Sequence, residues 1–221
     1  MRPIIHGAKP QKRALVESGM KTIAVLLSLA AGLAACAAAT TPNHEPILGG
    51  PCEGCEYVFS GMPERIGSSA RIAPVGEPGQ RMVIEGTVRN AQGATAAGVI
   101  VYAYHTDATG IYPKGSTRHG RLRGWARTDE KGNYRFDTIR PGAYPDRENP
   151  EHVHMHVIEP GKGTYWIDEI LFLDDPLLTP ERLKRMQSGR AGDGAVKPEK
   201  DKQGVWHVRR DIVLGRNIPG Y

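Results

Sequence analysis

Gly124-Trp125-Ala126-Arg127-Thr128-Asp129-Glu130-Lys131-Gly132-Asn133-Tyr134-Arg135-Phe136-Asp137-Thr138 reads as two short strands joined by a turn. Aromatic and β-branched residues recur on both sides. Asp129 to Gly132 places a glycine where the chain tolerates positive φ, so Gly124–Thr128 and Asn133–Thr138 are expected to form a hairpin. Upstream, Arg81–Arg89 is a strand ending in the turn Asn90-Ala91-Gln92-Gly93, and Gly98–Tyr104 is an apolar strand. Downstream, His152–Ile158, Thr164–Phe172 and Val205–Leu214 add three more. Short strands with few helical periods between them indicate an all-β fold, a β-sandwich of mixed sheets with long loops. One short helix is expected, because Thr179-Pro180-Glu181 sets an N-cap before proline at the first helical position and Glu181–Gln187 continues it. The charged, glycine-containing stretch Gly189–Gln203 reads as a mobile loop, and no internal repeat is visible.

The start of the chain has a different character. Met20-Lys21-Thr22, the apolar run Ile23–Leu33 and the small residues before Cys36 form an export signal; a spanning helix needs roughly 20 apolar residues. Leu33-Ala34-Ala35-Cys36 resembles the bacterial lipobox, so Cys36 is the expected lipidation site, the anchor faces the cell envelope, and translation is expected to begin at Met20. Residues 1–35 are then a signal segment, 36–80 a tether and irregular arm, and 81–221 the folded domain.

Removing that segment changes the meaning of the charge. The chain carries +5 and a pI near 9.2, but residues 1–35 hold five basic residues against Glu17, and the rest is left near +1. No basic stripe with interleaved aromatics remains, so nucleic acid is excluded as a partner. Cys52 and Cys55 form an even pair in Pro51-Cys52-Glu53-Gly54-Cys55, and outside the cytoplasm a disulfide is the expected state, with a metal or redox role as the alternative.

His152-Val153-His154-Met155-His156 lies in a strand, and residues two apart on a strand face the same side. Three imidazoles therefore stand in one row about 6–7 Å apart, and two of them can converge on one ion. The other reading is that exposed histidines alternate with the core residues Val153, Met155 and Val157. Tyr112, in Asp107-Ala108-Thr109-Gly110-Ile111-Tyr112, and Tyr144, in Arg140-Pro141-Gly142-Ala143-Tyr144-Pro145, stand in loops at strand ends, where functional side chains are commonly mounted. His105, His119 and His207 read as surface or loop residues.

Taken in order, Gly124–Asp129, Gly132–Phe136, Thr138–Pro145, Pro150–His154 and Glu169–Pro176, with Val99–Tyr112 upstream, resemble the intradiol ring-cleaving dioxygenases over roughly residues 82–176. The resemblance implies a mononuclear non-heme Fe(III) held by Tyr112, Tyr144, His152 and His154. The proline two residues before His152 and the spacing to Pro160-Gly161 select this pair over His154 and His156, leaving His156 as an extra. Phenolate oxygens suit a hard trivalent ion, and imidazoles complete the set. In the family a catechol chelates the iron, the residue matching Tyr144 leaves the metal and helps accept a substrate proton, and O2 attack opens the ring between its hydroxyls to a muconate-type diacid.

Asn149 stands where family members usually carry an arginine that supports the substrate, with Arg147 nearby as a substitute, and Glu169 stands where a glutamine is common. Trp125, Arg140, Arg147, Tyr165 and Trp166 are the candidate substrate contacts. The alternative function is a binding module that keeps the fold without turnover.

Overall fold

A computed structural model describes residues 45–52 and 54–221. The signal segment, Cys36 and the first part of the tether lie outside the described residues. In chain order the strands are β1 (Ser69–Arg71), β2 (Arg81–Arg89), β3 (Ile100–Tyr104), β4 (Arg123–Arg127), β5 (Asn133–Ile139), β6 (His152–Glu159), β7 (Gly163–Phe172), β8 (Ala195–Val196), β9 (Glu199–Lys200), β10 (Trp206–Arg209) and β11 (Ile212–Val213). They form two mixed sheets. One runs β1-β5-β2-β10-β9, with β11 also on β2, and the other runs β4-β3-β6-β7-β8. The all-β sandwich inferred from the strand pattern is the fold observed.

The two sheets bury one core. Ile84 and Phe136 come from the first sheet, and Val101, Ala103, Val153, Met155, Val157 and Ile170 from the second. On β6 these are the odd-numbered residues, so His152, His154 and His156 all turn to the outer face.

The stretch 124–138 is not a hairpin. Gly132 does turn the chain at φ +75, donating to the Asp129 carbonyl at 2.9 Å. Beyond the turn, however, β4 pairs with β3 over five residues while β5 pairs with β2 over seven. The turn is a corner at which the chain passes from one sheet to the other. Pairing partners distant in sequence decide this, and no local pattern carries them.

The C-terminal region also departs from expectation. Val205–Leu214 is broken at Arg210, whose fully buried guanidinium donates to the carbonyls of Asp211, Arg190 and Gly192 at 2.6, 3.2 and 3.3 Å. The Arg190 and Gly192 carbonyls belong to the stretch expected to be a mobile loop. Residues 190 and 191 are buried, and β8 and β9 lie within it. Its polarity is satisfied internally: Asp168 accepts from Ser188 Oγ and Gly189 N, both at 2.6 Å. The helix α1 (Pro180–Met186) forms where expected, with the Thr179 side chain accepting from Arg182 N at 3.3 Å.

The arm before β1 is ordered against the second sheet. Trp166 Nε1 donates to the Pro51 carbonyl at 3.2 Å and Trp125 Nε1 to the Val58 carbonyl at 2.8 Å. Val58 packs with Ile100, Tyr102, Tyr104, Trp125 and Ile158 in a second, smaller cluster. The second sheet is therefore covered on both faces.

Candidate metal centre

The two tyrosines reach the outer face of β6 on loops that are tied to each other. Asp107 organises the first: its carboxylate accepts from Thr109 N at 2.8 Å, Thr109 Oγ1 at 2.6 Å and Ile111 N at 3.2 Å. The second loop docks on it, with Gly142 N donating to the Asp107 carbonyl at 2.8 Å and Thr106 Oγ1 to the Gly142 carbonyl at 2.8 Å. Contact is this close only because both loops carry glycine. A Cβ on Gly110, at φ +83, would overlap the Ala143 carbonyl oxygen, and one on Gly142 would lie 2.6 Å from the Ala108 carbonyl. Tyr112 and Tyr144 are thereby brought together, their hydroxyls 2.9 Å apart.

The two histidines converge in the same way. His152 and His154 have their rings nearly perpendicular and their Nε2 atoms 3.1 Å apart. His152 Nδ1 faces the Pro150 carbonyl at 2.7 Å, an acceptor, so it carries the proton. His154 Nδ1 donates to Glu169 Oε1 at 2.8 Å. Both Nε2 atoms are then lone pairs aimed at one another, an arrangement that is repulsive until a proton or a cation lies between them. Burial first, and then the neighbouring His154, lowers the pKa of His152 and favours the neutral, ligating form.

Glu169 reaches His154 because β7 is bulged. Val153 pairs with Ile170 and Met155 with Ile167, so two residues, Asp168 and Glu169, stand opposite the single His154. Strict alternation from Ile167 would point Glu169 into the core; the extra residue re-aims it to the outer face beside Trp166. Burial opposes ionisation of this carboxyl, but the bond from His154 outweighs it and the pKa is lowered.

These groups border a cavity of about 310 Å³, walled by Tyr104, Tyr112, Tyr144, His154, Trp166 and Glu169. His119 and His156 continue the lining, and Arg118 contributes to it while remaining exposed. Burial, followed by the hydrogen bond to Tyr144, pushes the Tyr112 phenol well above its ordinary value. Alone it stays protonated at neutral pH; a trivalent cation beside it would ionise it. Two phenol oxygens and two imidazole lone pairs, with both outer nitrogens held by fixed acceptors, are a donor set that fits Fe(III).

Other residues singled out in the sequence fall elsewhere. Trp125 lies under the arm and does not border the cavity. Tyr165 is buried on the inner face, its hydroxyl donating to Glu159. Arg140 is an anchor: it donates to Glu151 at 2.6 Å and to both Asp174 oxygens at 2.8 and 2.7 Å, and it lies over the Phe172 and Trp206 rings. Arg147 is exposed at φ +57 in a neighbouring groove that shares Tyr144 with the cavity. Of the five candidate contacts only Trp166 borders the cavity; its alternation with the core residues of β7 is the signal that distinguishes it from Tyr165.

Of the histidines read as surface or loop residues, His105 and His119 do stand in the loop between β3 and β4, but both are buried. His105 bonds Thr138 Oγ1 at 2.7 Å and the Thr106 carbonyl at 2.6 Å. His119 meets the Tyr102 hydroxyl through Nδ1 at 2.8 Å and stacks on Tyr104 at 3.7 Å. His207 is half-exposed and paired with Asp201 at 2.9 Å. Tyr104 and Arg118 are cavity residues that the sequence did not single out, and His119 is one that it did not assign to a site. Tyr104 had a signal, since it shares the outer face of β3 with Tyr102.

Comparison with known proteins bears on the family and the fold. A family model described as Dioxygenase matches residues 53–202, more than half of the chain. The protocatechuate 3,4-dioxygenase beta chain of Burkholderia cepacia is 32% identical over 116 residues, 47% of this chain and 49% of that one. Catechol 1,2-dioxygenase of Candida albicans is 29% identical over 100 residues, 37% of this chain and 33% of the relative. The chain thus spans about half the length, or less, of the curated relatives it matches. The structure of hydroxyquinol 1,2-dioxygenase from Pseudomonas putida shares the fold with a TM-score of 0.53 at 23% identity, covering 79% of this chain and 67% of that one. Sandwich, paired tyrosines, paired histidines and family match lead to one conclusion: the chain belongs to the intradiol ring-cleaving dioxygenase family.

Proposed function

We propose that the chain is an exported, Cys36-anchored, mononuclear non-heme iron(III) dioxygenase that opens a catechol-type ring between its two hydroxyls with O2. The products would be the two carboxyl groups of a muconate-type diacid, which take up both oxygen atoms. The observation that carries the proposal is the facing of the Tyr112 and Tyr144 hydroxyls at 2.9 Å and of the His152 and His154 Nε2 atoms at 3.1 Å. These four residues would hold the iron. When bound, it supplies Lewis-acid activation of the diol and a template for oxygen.

The protein's own groups would do the rest. Tyr104 and Trp166 offer flat walls to an aromatic ring, and holding the diol in one plane against them removes orientational freedom before reaction. Tyr144 borders both the cavity and the outer groove. It is therefore the phenol with space to turn aside, and its oxygen can take a proton from a substrate hydroxyl. Glu169 keeps the His154 proton on Nδ1, so that Nε2 stays available.

The test is a preparation loaded with ferric iron. A visible phenolate-to-metal charge-transfer band is expected, shifting on anaerobic addition of catechols, with one O2 consumed per ring once air is admitted. A colourless protein that takes up no iron would end the proposal. Asn149 motivates the second reading, a binding module: a band that shifts with catechols but no oxygen uptake would favour it.

A further inference from the structure

A second cluster of donor atoms lies under the arm, on the side of the cavity lined by His119 and His156. The Cys52–Cys55 disulfide packs on β6, with Cys52 Sγ 3.6 Å from His156 Nε2. One donor atom from each of Cys52, Cys55 and His156 lies within 4.8 Å of the others. His156 is buried, and its second nitrogen, Nδ1, has no hydrogen-bond partner among the described residues. His119 Nε2 is likewise buried without a partner among the described residues, and it lies against Gly54, between the two cysteines, where a Cβ would overlap it. Buried polar atoms are nearly always paired. The unpaired His119 Nε2 beside the Cys-x-x-Cys, and a His156 ring that meets it only through the Nε2–sulfur contact, are therefore unusual, and the four residues assigned to iron include neither histidine.

We propose that Cys52, Cys55 and His156 form a site for zinc(II), closed while the disulfide is intact and opened by its reduction, with His119 as the adjacent fourth donor. Thiolate and imidazole are the zinc donor set, whereas the phenol-rich site favours a hard trivalent ion, so the two sites would select different metals. Opening needs two electrons and two protons, supplied by a dithiol that is itself oxidised to its disulfide. The Cys52–Cys55 sulfur–sulfur bond breaks, two thiols form, and zinc binding then releases their two protons to solvent. The proposal is independent of the iron reading, because it involves none of the four residues assigned to iron.

The test uses the full chain, reduced under argon with a phosphine, freed of reductant and titrated with cobalt(II) as a spectroscopic stand-in for zinc. One equivalent is expected to bind with a sulfur-to-cobalt charge-transfer band, which cobalt at the tyrosine and histidine site cannot produce, and zinc(II) should bleach it. The unreduced protein should show none. Cys55→Ser should abolish the band, and alkylation of the reduced wild-type thiols should do the same if that variant does not fold. His156→Ala should weaken cobalt binding by more than about tenfold. A reduced protein without the sulfur band, or a His156→Ala variant binding cobalt as tightly as wild type, would overturn the proposal.

Discussion

His154 Nδ1 donates to Glu169 Oε1 at 2.8 Å across a bulge that places Asp168 and Glu169 opposite a single residue. A carboxylate in that place orients the imidazole and increases its electron donation to a metal. Glu169→Gln should keep the geometry while withdrawing the negative charge, weakening iron retention by about 10–100-fold and moving the charge-transfer band. Iron content after dialysis against a chelator, read with the absorption spectrum, is the measurement. Unchanged retention and an unmoved band would show that Glu169 has no part in holding the ligand.

The third histidine of the row should behave differently from the first two. His152→Ala and His154→Ala are each expected to lose most of the iron, because each removes one of the two facing Nε2 atoms. His156→Ala should keep iron and colour, since His156 Nε2 faces Cys52 Sγ. Metal analysis of the three variants decides the assignment, and loss confined to His156→Ala would reverse it.

Gly110 and Gly93 have nearly the same positive φ, +83 and +86, but only Gly110 lies against another loop. Gly93→Ala should carry only the strain of a left-handed alanine, of order 1 kcal/mol. Gly110→Ala should carry that strain and also separate the Tyr112 and Tyr144 loops, destabilising the protein by about 1–3 kcal/mol more and lowering iron occupancy. Denaturant midpoints and iron content of the two variants make the comparison. Equal midpoints would mean that the loops can separate without penalty.

Burial holds the His105 imidazole down at about 4, against the pull of its bond to the Thr106 carbonyl. In the unfolded chain the same ring takes up a proton near about 6.5. The neutral folded form is thus fully stabilising above that value, and the contribution is lost as pH falls from there towards 4, at about 1.4 kcal/mol per pH unit within the window. His105→Asn should be less stable at pH 7.5 but flatter between pH 6 and 5. Unfolding free energies at those three values test this; an unchanged slope would mean that His105 does not titrate as a buried neutral group.

Much of the fold was legible because strand alternation is local. The odd and even residues of 152–157 separate into core and outer face as the period of two requires. The corner at Asp129–Gly132 was misread for the opposite reason: which sheet a strand joins depends on partners far along the chain. The ordering of residues 189–203 rests on Arg210 and Asp168, neither of them a neighbour in sequence. Among the site residues, Tyr112, Tyr144, His152 and His154 were singled out in advance and lie together. The tie between His154 and Glu169 was not foreseen, because a bulge breaks the alternation from which facing is inferred. Arg140, Trp125 and Tyr165 were considered for substrate contact on residue type, and packing places them elsewhere.

β6 divides its duties by parity. Val153, Met155 and Val157 hold the two sheets together, while His152, His154 and His156 face outward to the tyrosines, the cavity and the disulfide. Substitutions on the two sets should therefore fail in different ways, one producing unfolded chains and the other folded chains with altered chemistry. A lineage can explore new donors or substrates on the even positions without jeopardising the sandwich, and that freedom suits a scaffold open to changes of trade.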